Sequence, residues 1–320
     1  MKRNILIAVA FMATMTLAAQ NIAVVSPSNA TKTYLTLDTA IKGAEDGSII
    51  YLPGGGWVIN DTTKIDKRLT IMGVSHRGDT DNTDGATIIG GGLSFVKGSS
   101  GSAVMGCYIS GDVNIGTADD AVNNILIRYC NANSVQVKNS GCQGVTVNQN
   151  YIRSGSSFGG SNPTITNNIT CQLSTINGGI ISNNYIKYYG TSYWFYFISN
   201  SIITNNIFLS NFTNTYSSSN NEINGNMKLS GLDDETNINL GADVDWNDVF
   251  VKYNNGAIST VSDFHFSDKY KQYENKVGIY AGSSFNDKQL APIPRIVSKT
   301  VDEQTDGSGR LLINITVKAQ

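Results

Sequence analysis

A short β-branched run closed by asparagine, with apolar residues directly after it, returns along the middle of the chain at intervals near twenty residues. It reads "VTVNQNYI" from Val145, "TITNNIT" from Thr164, "IISNNYI" from Ile180, "IITNNIF" from Ile202 and "EINGNMK" from Glu222. With the second asparagine as anchor, the series is Asn150, Asn168, Asn184, Asn206 and Asn226, at intervals of 18, 16, 22 and 20. The same frame runs upstream through "ILIRYC" and "AVMGCYI", which put Cys130 and Cys107 at the anchor. Three residues before the anchors stand Val104, Ile127, Val147, Ile165, Ile181, Ile203 and Ile223, a column of β-branched aliphatics.

A repeat this short cannot bury an apolar face by itself and has to stack on its neighbours. β-Branched side chains make each unit strand-like, and the leucine frame of leucine-rich repeats is absent. The pattern predicts an all-β solenoid, a single-stranded parallel β-helix in which each repeat is one coil and coils stack about 4.8 Å apart. Composition agrees: 32 glycines in 320 residues and 15% charged residues suit a turn-rich β chain. Asparagines at one bend of every coil can take unusual backbone angles and pass amide hydrogen bonds from coil to coil. The ladder is therefore read as structural. Cys107 and Cys130 sit in its column one coil apart, either as a disulfide or as small buried stand-ins for asparagine.

The stretch "YLTLDTAIKGAEDGSIIYLPGG" has Leu37, Ile41 and Ala44 on one helical face ahead of a strand, which predicts a short helical cap and a first coil. With the repeats, this stretch resembles the right-handed parallel β-helix proteins of the pectin-lyase-like superfamily. "KVGIYAGSSFNDKQLAPIPRI" is similar to the closing segments of β-helix proteins exported by Bacteroidetes. The resemblance spans Thr33 to Arg295 and rests on architectural motifs. It implies an exported protein of a Gram-negative bacterium, in the periplasm, at the cell surface or outside the cell. It also implies a polysaccharide partner, with acidic glycans cleaved by the catalytic members.

Residues 1–19 read as a secretory signal peptide, with Lys2 and Arg3 before an apolar run and small residues ahead of Gln20. Residues 20–290 then form the β-helix, and 291–320 a C-terminal β hairpin or cap around the Asp306-Gly307 turn. No later run is long enough to span a bilayer, and nothing points to nucleic acid. Oligomeric state is not encoded in any motif.

Two classes of function follow. Between Ala121 and Asn220 the chain has no Asp, Glu or His, while Arg128, Lys138, Arg153 and Lys187 give it a charge of +4 within a chain of net charge −2. A middle without acids cannot supply the paired carboxylates of glycoside hydrolysis or an acidic calcium site of the kind lyases use. A non-catalytic polysaccharide-binding or surface-interaction module is the favoured reading. Its surface is expected to join Tyr151, Arg153, Tyr185 and Lys187, placed outward by strand alternation, with Trp194 and Tyr196 of "YYGTSYWFYF" at the margin. The alternative is a polysaccharide lyase or hydrolase that draws on Asp112, Asp119 and Asp120 near one end. No cofactor is expected. Calcium at Asp79, Asp81 and Asp84 is the one metal candidate, set against a solvated turn because the spacing misses the helix-loop-helix calcium pattern. His76 and His265 are read as structural or surface residues.

Overall fold

The computed structural model describes residues 21–57, 62–77, 85–187, 193–209, 214–216, 218–228, 235–254, 262–282, 285–291, 295–301, 307–310 and 313–318. The expected signal peptide and the candidate calcium ligands Asp79, Asp81 and Asp84 lie outside these residues.

Three parallel sheets wrap one core. The first runs from Ser48–Tyr51 to Glu222–Asn224, the second from Gly55–Trp57 to Ile238–Asn239, and the third from Thr62–Ile65 to Asn214–Tyr216. Each coil contributes a strand to each sheet in turn, so the chain is a parallel β-helix. The aliphatic column pairs in register from Val104 to Ile127, Val147, Ile165, Ile181, Ile203 and Ile223. It continues upstream to Ile71 and Ile50, beyond the reach of the asparagine frame. Ile109, Ile152, Ile186 and Phe208 enter the same core from the second sheet. At the N-terminal end, the helix Leu37–Gly43 is capped by Thr36 and buries Leu37, Ala40 and Ile41. Strand Ile22–Val25 pairs antiparallel with Ser48–Tyr51 and covers that edge of the first sheet.

The two adjacent asparagines divide the work at each corner. The residue before the anchor takes the left-handed conformation: Gly106, Tyr129, Gln149, Asn167, Asn183, Asn205 and Gly225 all have φ between 54° and 66°. Asparagine and glycine tolerate this conformation best. The anchor itself carries the ladder. Asn150, Asn168, Asn184 and Asn206 each donate the backbone N–H to the side-chain oxygen of the next anchor at 2.9 Å. Each side-chain amide donates back to the column residue of the preceding coil, as Asn184 does to the Ile165 carbonyl at 2.9 Å. Asn237 extends the series, accepting from the Asn226 N–H at 2.9 Å, although only eleven residues separate them. Cys130 and Cys107 are free, buried thiols in the same column. The Cys130 thiol points at the Arg128 carbonyl, 3.3 Å away, where an asparagine amide would donate.

After the last coils the chain turns back as a strap along the outside of the second sheet. Gly278 N–H bonds the Asn205 carbonyl, Asn167 Nδ2 donates to the carbonyls of Ile279 and Ala281, and Asn286 N–H bonds Gln149 Oε1, each at 2.8 Å. Leu290 then bridges to Ser75, two coils from the start. The strap thus travels toward the N-terminal coils, pinned by the left-handed corner residues. Between it and the sheet lies a second apolar core, in which Tyr151, Ile169, Tyr185, Ile207 and Met227 meet Phe250, Phe264, Phe266, Ile279 and Phe285.

The C-terminal strands Arg295–Val301 and Ile313–Lys318 form an antiparallel hairpin that pairs with no other sheet among the described residues. Ala291 N–H, four residues before the hairpin's first strand, donates to the Val74 carbonyl.

Candidate functional site

The open basic and aromatic wall expected from strand alternation is not what the fold builds. Tyr151 and Tyr185 do point away from the coil interior, but they are only 3% and 0% exposed, because the strap covers them. Tyr185 donates its hydroxyl to the Phe264 carbonyl of the strap at 2.8 Å. Lys187 is 6% exposed. Burial pulls its ammonium pKa down, and the neighbouring Cys171 thiol partly offsets this. Arg153 is half-buried and reaches back over earlier coils. Its guanidinium donates to the Asn131 backbone and side-chain oxygens, to the Ile109 carbonyl at 2.9 Å and to Ser110 at 3.0 Å, and lies over the Tyr108 ring. It is a clamp between coils, with its donors already engaged. Alternation determines which side of a wall a residue faces, but not what lies beyond the wall.

The aromatic margin is reached in part. Trp194 lies in the strand Tyr193–Ser199, with its side chain outside those described. Tyr196 is 37% exposed, and its ring packs edge-on against Phe197. Phe197 has φ of 57°. That left-handed residue resets the alternation and turns Ile198 into the core, so Tyr196 and Phe197 both face out.

Of the alternative catalytic acids, Asp112 precedes the strand Val113–Ile115 while Asp119 and Asp120 follow it. Asp112 accepts from Asn133 Nδ2 and Ser134 Oγ, both at 2.7 Å, which ties one corner to the next. Asp120 pairs with Lys97 at 3.4 Å on the surface. Asp112 and Asp120 serve separate local contacts at opposite ends of one strand.

A cavity of about 300 Å³ opens between the strap and the second sheet. Tyr151, Phe264, Ile279, Tyr280 and Phe285 form its apolar walls, and Arg77, Asp263, His265 and Asp287 its polar ones. His265 and Tyr280 stack with ring centroids 3.9 Å apart and planes within 7°. His265 Nδ1 lies 2.8 Å from Glu274 Oε1, and Nε2 lies 3.8 Å from Asp287 Oδ2. The Tyr280 hydroxyl donates to Asp287 Oδ1 at 2.6 Å. Arg77 Nη1 donates to the Asp287 carbonyl at 3.0 Å.

The electrostatics around this cavity are negative. Burial raises the Tyr185 pKa well above its usual value, and the charges of Glu274, Asp263 and Asp287 raise it further. Tyr280 is raised in the same way, by burial and then by its bond to Asp287. Both phenols are held as hydrogen-bond donors. For Glu274, burial by itself favours the neutral acid, but hydrogen bonds from His265, the Phe266 N–H and Lys271 outweigh it, and the pKa falls below the ordinary carboxylate value.

Of the two imidazole nitrogens of His265, Nδ1 is hydrogen-bonded to Glu274, while Nε2 lies 3.8 Å from Asp287, beyond hydrogen-bond distance. Among the described residues, no group of three or more His, Cys, Asp or Glu side chains could hold a metal ion, and no helix is long and apolar enough to cross a membrane.

Most of these residues follow the last repeat, where periodicity no longer guides the reading. Two signals stood in the sequence. The positions directly after the anchors read Tyr151, Ile169, Tyr185, Ile207 and Met227, an outward apolar column that requires a cover. The strand Asp263–Phe266 places Phe264 and Phe266 on one face and Asp263 and His265 on the other. Comparisons of the chain with protein-family models, curated proteins and solved structures find no match.

Proposed function

We propose that the protein is a non-catalytic, exported β-helix module that binds polysaccharide, and that the cavity under the strap is its recognition site. The observation that carries this reading is the cavity's composition. Stacked and edge-on aromatic rings lie beside carboxylates, an imidazole and a guanidinium, in a space at the lower end of the range for ligand pockets. Sugar rings offer apolar C–H faces to aromatic side chains and hydroxyls to such polar groups. The long stacked core beneath supplies a rigid wall, and the strap completes the site.

Affinity electrophoresis through gels cast with soluble polysaccharides tests the reading. The wild-type chain is retarded in at least one gel, and Asp287→Asn is retarded less while its circular dichroism is unchanged. Equal retardation of both proteins removes the cavity from the reading. A second reading, cleavage of the glycan, is favoured by the Glu274–His265 contact alone, which orients the ring as a carboxylate does in acid–base dyads. New reducing ends or unsaturated products that disappear in His265→Gln would replace binding with catalysis.

A further inference from the structure

We infer that the cavity selects an amino sugar, a hydroxyl-rich ring bearing an ammonium group, and disfavours the uronates and sulfated sugars that a basic wall would have attracted. The inference rests on the polysaccharide-binding reading and specifies the sugar. Two carboxylates, Asp263 and Asp287, line the cavity, and a third, Glu274, lies directly behind His265. The cationic groups that could offset them are Arg77, which donates to the Asp287 carbonyl, Lys271, which pairs with Glu274 at 3.3 Å outside the cavity lining, and His265, whose two nitrogens face Glu274 and Asp287. Among the described residues, no other lysine or arginine lines the cavity. A ligand carboxylate or sulfate placed here would sit against like charge.

The donor and acceptor roles agree with this charge. Asp263 and Asp287 can only accept hydrogen bonds when ionised. Asp287 Oδ1 takes the Tyr280 hydroxyl at 2.6 Å, and Asp263 Oδ1 takes the backbone N–H of His265 at 3.0 Å, which holds both carboxylates in place. Such groups want donors from the ligand, and an ammonium offers three, each charge-assisted. Tyr151, Tyr280 and Phe285 stand beside them; Phe285 packs edge-on to both tyrosines, with centroids 5.7 and 6.3 Å away. Aromatic faces next to acids favour cations as well as C–H surfaces. The volume of about 300 Å³ suits a single ring rather than a run of residues, so recognition is of one sugar unit, terminal or turned out of its chain.

Titration calorimetry with methyl glycosides of glucosamine, glucose and glucuronic acid tests the inference on the full chain. The glucosamine derivative binds most tightly, glucose more weakly, and glucuronate least. Asp287→Asn and, independently, Asp263→Asn each weaken glucosamine binding about tenfold, the effect of one charge-assisted hydrogen bond, and weaken glucose binding by less. Glucuronate binding as tightly as glucosamine, or glucosamine binding that ignores both substitutions, overturns the choice of sugar while polysaccharide retention in gels still stands. If none of the three sugars binds although polysaccharide gels retain the protein, the cavity does not hold the sugar unit. Loss of retention in every gel defeats the broader reading itself.

Discussion

Replacing Asn184 with alanine removes one rung of the ladder. Its Oδ1 accepts from the backbone N–H of Asn168 at 2.9 Å and from the Asn168 side chain at 3.0 Å. Its Nδ2 donates to the Ile165 carbonyl at 2.9 Å, to Ser182 at 3.0 Å and to Asn206 Oδ1 at 2.9 Å. Asn168 N–H is buried, and truncation leaves it orphaned at a cost of about 1–3 kcal/mol. The two carbonyls keep a second lone pair, and Ser182 still receives the Asn167 N–H, so they add less. A total of about 3–5 kcal/mol follows, a large part of the ~5–15 kcal/mol that holds a typical domain folded. Urea unfolding measures it against Asn148→Ala, whose part-buried amide bonds only Thr166 and whose loss costs about 0.5–1 kcal/mol. If Asn184→Ala unfolds within 1 kcal/mol of that control, the ladder is ornament and the argument built on it fails.

Other substitutions probe the strap and the thiols. Gly278 has φ of 79°, and a Cβ there would run into the Tyr185 ring; Gly278→Ala should loosen the strap, seen as faster hydrogen exchange from 277 to 281 with the coils unaffected. The Glu274 pKa is depressed in the folded state, so its contribution is present above the ordinary carboxylate pKa and lost as pH falls through the folded value. Strap stability should therefore decline in acid, and Glu274→Gln should flatten that decline. Burial pushes the Cys130 and Cys171 thiols up to about 12; a thiol reagent at pH 8 should leave both unmodified until urea unfolds the chain.

The solenoid was legible because its determinants are local and repeated. The aliphatic column and the anchors share one frame, so Val104 through Ile223 could be aligned without knowing where the coils lie. Asn237 escaped because the last coil is shortened to eleven residues after Asn226, and the period is lost although the hydrogen bond survives. The paired asparagines were read as sharing one role, whereas Asn183 makes the turn and Asn184 the ladder. The site was far less legible. Tyr185 stands in the outer apolar core, but the strap that buries it joins residues eighty positions apart, and no periodicity reports such a contact. Asp263, His265, Tyr280 and Asp287 converge only through that strap.

Hydrogen exchange with and without a polysaccharide that retards the protein tests the central claim most directly. The account predicts slower exchange confined to the strap around Asp263–His265, Ile279–Tyr280 and Asp287, with the third sheet unchanged. Protection along the third sheet or around Lys138, with the strap unaffected, would contradict it.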